Sequence, residues 1–142
     1  HEAAARGELD DWAADARGAL ALLVLLDQFP RNAFRNSGRI YATDAKALAV
    51  ARSAVDAGLD KKIEDPALRA FFYLPFMHSE SLADQDRSVA LCEHAAPENL
   101  RFAKHHRDIV ARFGRFPHRN ALLGRPSTPE ELQFLQEGGF AG

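Results

Sequence analysis

The chain has 142 residues, with 18 basic and 20 acidic side chains for a formal net charge of −2, and 46% of it is apolar. That is one globular domain's worth of chain with enough apolar surface for a core, and it argues against a disordered tail, a collagen-like fibre or a second domain. The longest apolar run, residues 19–26, falls far short of the ~20 residues of a membrane-spanning helix, and a single cysteine, Cys92, excludes an intramolecular disulfide, which fits a reducing, cytoplasmic location.

Alanine occurs 26 times, against 10 for valine, isoleucine and threonine together. The bias favours the best helix former over the β-branched residues of strands, so an all-α domain is expected. Gly7 terminates a first helical tail, Leu9 to Trp12 starts a short helical stretch, and Asp15 is placed to N-cap the next. From Ala16 to Phe29 nearly every side is apolar, which predicts a central helix that Pro30 stops. The proline also disfavours helical geometry at Phe29. After a polar corner at 31–38, a third helix is predicted near Tyr41 to Ala57, closed by Gly58. Asp65 and Pro66 read as N-cap and first position of a segment that Pro75 interrupts, leaving Phe76 to Glu80 as a bend. Ser81 with Asp84 resembles a capping box for a helix to about Ala95, and Pro97 opens another that ends at Gly114. Pro117 and Gly124 bracket one short turn. Thr128, Pro129 and Glu131 mark the start of a terminal helix ending at Gly138. Seven to eight helices joined by short corners suggest stacked antiparallel pairs, with no visible 34-residue repeat.

The near-neutral total hides a segregation. Residues 1–27 hold two arginines against six acids, whereas 101–125 hold seven cations against Asp108 alone. Arginine outnumbers lysine 14 to 4, which suits bidentate pairing with carboxylate or phosphate. Three readings are open: the two segments pair with each other, the arginines form an anion site, or they form a basic surface for a macromolecule.

Asp27 falls in the last turn of the predicted buried helix, where the helix dipole disfavours an anion. It needs a partner such as Arg31 or Arg119, and either locks the corner as a buried ion pair or orients an arginine toward a ligand. In the stretch 112–120, Arg115 and Arg119 flank a turn that Pro117 begins, with the backbone N–H groups of His118 to Asn120 free to face an anion. The alternative is that these arginines cap helix ends and pair with Asp27 or Glu80. His78 and Glu80 lie two residues apart in the predicted bend, a pair suited to acid–base work or to a metal. With no helical His-Glu-x-x-His pattern and no cysteine pair, neither a metal site nor a cofactor is expected. His106 shares a helical stripe with Phe102, Ile109 and Phe113 and faces inward, either as a satisfied core histidine or as a buried base, while His105 lies outside. Trp12, Phe71 and Phe72 read as core, and Cys92 as a small inert hydrophobe.

Three blocks, LLDQFPRNAFR at 25–35, FFYLPFMHSE at 71–80 and RFGRFPHRNALLGRPSTPEE at 112–131, resemble in the same order the signature blocks of a bacterial family known as a domain of unknown function. The resemblance spans essentially the whole chain. It implies an all-helical, tetratricopeptide-like stack, and it puts Asp27, Gln28, Pro30, Arg31, Asn32, His78, Ser79, Glu80, Gln85, His106, Arg115, His118, Arg119 and Asn120 on the family's polar motif positions. It implies no reaction. Relatives start with a further helical stretch before the Gly7 region. The expectation is a single domain over 1–142 lacking part of that segment, with apolar surface either exposed or covered by a partner chain.

The leading expectation is one pocket where the three corners converge. Arg31, Asn32, Arg115, Arg119 and Asn120 would bind a small phosphate or carboxylate, Asp27 would orient an arginine, and His78, Glu80, His106 or His118 would move protons if there is hydrolytic chemistry. The competing class is an interaction module that grips a peptide, a protein partner or a second copy, with its arginines strung along an open groove. Nucleic-acid binding by 101–125 is a third and weaker reading, opposed by the six acids near the N-terminus.

Overall fold

The computed structural model describes residues 1–142 and is built from helices and turns alone. The α-helices are α1 (Glu2–Ala5), α2 (Ala16–Leu23), α3 (Phe29–Ala33), α4 (Asp44–Asp56), α5 (Pro66–Arg69), α6 (Leu74–Met77), α7 (Leu82–Ala95), α8 (Leu100–Phe113), α9 (Asn120–Leu123) and α10 (Pro129–Gln136), linked in part by 3-10 turns. No helix is long and apolar enough to cross a membrane.

The helix that begins at Ala16 does not stop at Pro30, contrary to expectation. It widens into a π-turn over Val24–Gln28 and continues as α3, with Phe29 itself in helical geometry. A proline removes the N–H that its i−4 carbonyl would accept, here that of Leu26. The Thr43 hydroxyl donates to that carbonyl oxygen at 2.6 Å, so the break leaves no buried acceptor unpaired. Other carbonyls of the same turn are met in the same way: Leu25 O pairs with His1 Nδ1, Asp27 O accepts from Arg31, and Gln28 O accepts from Asn32.

Elsewhere the caps follow the sequence closely. Asp15 and Asp65 accept from backbone N–H groups at the starts of α2 and α5, and Thr128 with Glu131 forms a complete capping box on α10. Gly114 ends α8 in the left-handed region at φ 71°, where a glycine costs no strain. Ser81 makes no side-chain cap. Its expected partner Asp84 is engaged by Arg52 and by the Ser79 hydroxyl.

The main core gathers Leu23 from α2, Ala51 and Ala54 from α4, Phe72, Tyr73, Phe76 and Met77 around α6, and Cys92 and Ala103 from α7 and α8. Burial pushes the Cys92 thiol up to about 11, as an inert side chain requires. Two aromatic readings are corrected. Trp12 is 39% and Phe102 46% exposed; Phe102 lies beneath the Arg101 guanidinium instead of entering the core. A smaller cluster of Ile109, Val110 and Phe116, with Phe113, Phe134 and Phe140 against it, seals the far end. The acidic and basic segments do not pair with each other. Arg107, Arg112, Arg115 and Arg125 meet Asp86, Glu130, Glu131 and Glu80, and Lys46 and Arg39 meet Asp10 and Glu2.

Candidate functional site

Three corners of the fold surround one cavity of about 610 Å³. The widened turn and α3 supply Gln28, Arg31 and Asn32; the end of α6 supplies His78; α8 supplies His106; and the turn after Pro117 supplies His118 and Arg119. Gln28, Arg31 and Asn32 share one face of that helical run, and Arg35, in the turn just after α3, joins the wall from an exposed position. Tyr41, Phe116 and Phe140 complete the aromatic part of the lining.

Asp27 lies behind the wall, 1% exposed. Its closest contacts are His78 Nδ1 and the Gln28 side-chain amide, both at 2.7 Å, with Arg31 Nη1 at 3.3 Å. Burial opposes the carboxylate's charge, yet His78 and Arg31 hold its pKa below the ordinary value. The carboxylate therefore orients an imidazole first and an arginine second. With Nδ1 engaged, Nε2 is the ring nitrogen of His78 left without a hydrogen bond.

The arginines of the wall differ in how far they are neutralised. Arg31 holds Asp44 with two hydrogen bonds, at 2.8 and 2.9 Å, and donates to Asp27 O. Burial lowers its pKa less than these two carboxylates raise it. Arg119 is 7% exposed and stacked between Tyr41 at 4.5 Å and Phe116 at 4.7 Å. One Nη donates to the His78 carbonyl, the other lies 3.7 Å from Asp44, and the buried Nε has no partner. Burial, together with the neighbouring Arg31, pushes its pKa down despite Asp44.

Two histidines are held neutral. Burial drives His106 down to about 4, although the Phe102 carbonyl oxygen, 2.7 Å from Nδ1, pulls the other way. Burial and then Arg119 drive His118 to about 4, and its buried Nδ1 has no partner. The Phe140 ring packs edge-on between them, 4.6 Å from His106 and 5.0 Å from His118.

Besides Asp27, three candidate residues lie outside the cavity. Arg115 makes two hydrogen bonds to Glu131, at 2.7 and 2.9 Å, and a third to the Pro126 carbonyl. Asn120, 1% exposed, donates to Glu131 and Ser127 and accepts from Arg125. Glu80 accepts two bonds from Arg125 and one from the Phe116 N–H. These residues staple the corner behind the cavity, with their charges paired there, Arg115 to Glu131 and Glu80 to Arg125. Of the expected cradle of backbone amides, the N–H groups of Arg119 and Asn120 close onto Phe116 O and Pro117 O. No three His, Cys, Asp or Glu side chains are arranged to hold a metal ion.

A model of the bacterial family of unknown function DUF924 matches residues 1–139. The chain belongs to that family. It is similar to a solved structure of a protein of unknown function from Agrobacterium tumefaciens, at 52% identity and a TM-score of 0.92, over 97% of this chain and 78% of that one. No curated protein matches the chain.

In this DUF924 chain, sequence reasoning passed over Arg35, Tyr41, Asp44 and Phe140. Arg35 lies in the turn just beyond α3, where no helical spacing marks it. Tyr41 and Asp44 sit at the opening of an ordinary-looking helix, and nothing in their local pattern marks them.

Proposed function

We propose that the cavity binds a small anionic ligand, a phosphate or a carboxylate, with Arg119 as its central anchor and Arg35 at the rim. The observation that carries this reading is the state of Arg119, a buried cation whose nearest carboxylate is already taken by Arg31. A buried charge without a counter-ion costs several kcal/mol, and an incoming anion removes that cost. The lining supports the same reading, because three arginines and three histidines face the cavity and no aspartate or glutamate side chain does.

The gathering of arginines and histidines around one depression favours a pocket over a groove. One observation favours a second reading, a protein partner or second copy on the first third of the chain: Val24 is 39% and Phe29 43% exposed there. A tetratricopeptide-like stacking of antiparallel pairs is part of the proposal, supported by the two 14-residue helices α7 and α8 packed against each other across a short corner. So is a cytoplasmic location, supported by the lone buried thiol of Cys92.

Thermal denaturation in inorganic phosphate and in short carboxylates tests the anion reading. A ligand at a hundred times its Kd adds ~2.7 kcal/mol to stability, so the melting temperature rises in the parent and stays fixed in Arg119→Met. An equal response of the two proteins, or none in the parent, overturns the reading.

A further inference from the structure

Resting on that reading, we propose that His78 is the general base of an esterase-type site, which hydrolyses a small carboxylic ester whose own negative charge is held by Arg119. Three relationships carry the proposal. Nδ1 of His78 is fixed 2.7 Å from the buried Asp27 carboxylate, leaving Nε2 as the free ring nitrogen of a side chain that lines the cavity. Arg119 donates to the carbonyl oxygen of His78 itself, so the anion anchor and the base are tied together at one residue. The Tyr41 hydroxyl, on the same wall and stacked on Arg119, makes no hydrogen bond and is a free neutral donor.

The rest of the lining narrows the chemistry. No serine, threonine, cysteine or lysine faces the cavity, so water is the attacking group. His106 and His118 are held neutral, so neither supplies an imidazolium as general acid at neutral pH. One imidazole must then take a proton and return it, which suits attack on an ester carbonyl. His78 Nε2 accepts a proton from water as the water oxygen bonds to the carbonyl carbon. The carbonyl electron pair shifts onto its oxygen, which accepts a hydrogen bond from Tyr41. When that pair returns, the carbon–alkoxide bond breaks and the departing oxygen takes the proton from Nε2. The products are an acid and an alcohol, and the acid releases its proton to solvent. Asp27 acts through His78 as a positioning residue.

The test uses 4-acetoxybenzoate, whose carboxylate cannot reach its own ester, and the uncharged methyl ester of the same molecule. Calorimetry with the non-hydrolysable 4-acetamidobenzoate and with inorganic phosphate measures binding. The expected result is catalysed release of 4-hydroxybenzoate from 4-acetoxybenzoate, with release of methyl 4-hydroxybenzoate from the methyl ester at least tenfold slower. In His78→Asn the side-chain amide takes the place of Nδ1 and keeps the bond to Asp27, so 4-acetamidobenzoate still binds while turnover falls about a hundredfold or more. Asp27→Asn lowers kcat and leaves KM for the ester unchanged. If neither phosphate nor 4-acetamidobenzoate binds, the anion reading itself fails. Binding of either anion without turnover, or turnover that survives His78→Asn, overturns the base assignment and leaves the anion reading standing.

Discussion

Nη1 of Arg119 comes no nearer to Asp44 than 3.7 Å, because Arg31 already holds both oxygens of that carboxylate. Two guanidinium groups share one counter-ion, and the better-placed one takes it. The geometry leaves positive charge facing the cavity, and it makes the two halves of the arginine set respond differently to substitution.

Arg119→Met is expected to change folding stability by less than ~1 kcal/mol, because loss of the bond to His78 O is offset by removal of an under-compensated buried charge. Arg115→Met is expected to cost clearly more than Arg119→Met, since it takes the paired cation from Glu131, which is 2% exposed. Urea denaturation of both variants measures the contrast; equal losses would mean that Arg119 is as well neutralised as Arg115.

Acid should weaken the fold first through the histidines. His106 and His118 have folded pKa values pushed from 6.5 to about 4, so the unfolded chain takes up protons that the fold refuses. Their contribution is fully present above pH 6.5 and is lost as pH falls from there toward 4. The loss is on the order of 2–3 kcal/mol for the interacting pair. Denaturation midpoints at pH 7 and pH 4.5 should show it, and His118→Gln should shrink the difference; a flat profile in the parent contradicts it.

A second acid window lies lower. Glu131 is held at about 2 by Arg115 first, with help from the Thr128 N–H and Asn120 against the cost of burial. A depressed carboxylate stabilises above its unfolded value of 4.5 and loses that contribution as pH falls through its folded value. About 2–3 kcal/mol should disappear between pH 4.5 and 2. In Glu131→Gln that decline should be absent, with stability already reduced at pH 7.

Gly18 lies against the backbone of the preceding turn, where an added Cβ would collide with the Trp12 carbonyl oxygen. Backbone has little room to give, so Gly18→Ala is expected to destabilise by about 2 kcal/mol or more even though alanine is the better helix former. An unchanged or raised melting temperature would show that the 3-10 turn over Asp10–Ala14 moves aside freely.

Much of the fold was legible because its punctuation is local. Asp15, Asp65 and Thr128 act on backbone within three residues of themselves, and Gly58 and Gly114 end helices in the geometry that glycine favours. Pro30 was misread because its effect is decided at long range, by a Thr43 hydroxyl 17 residues away from the carbonyl it covers. The same division runs through the site. His78, His106, His118, Arg31 and Arg119 could be picked out by type and context, but which arginine is spent depends on acids far along the chain. Glu131 lies 16 residues from Arg115, and Glu80 lies 45 from Arg125. No spacing rule reaches that far, so Arg115 and Asn120 looked equivalent to Arg119.

The π-turn over Val24–Gln28 carries one residue more than an ordinary helical repeat would. Removing a single amino acid there, for instance Leu25, should let the residues before Pro30 close onto α-helical hydrogen bonds, with only the bond missing at the proline itself left unmade. Far-ultraviolet circular dichroism would then be almost unchanged, although the loop that places Asp27 behind His78 would be gone. Such a shortened protein separates scaffold from chemistry.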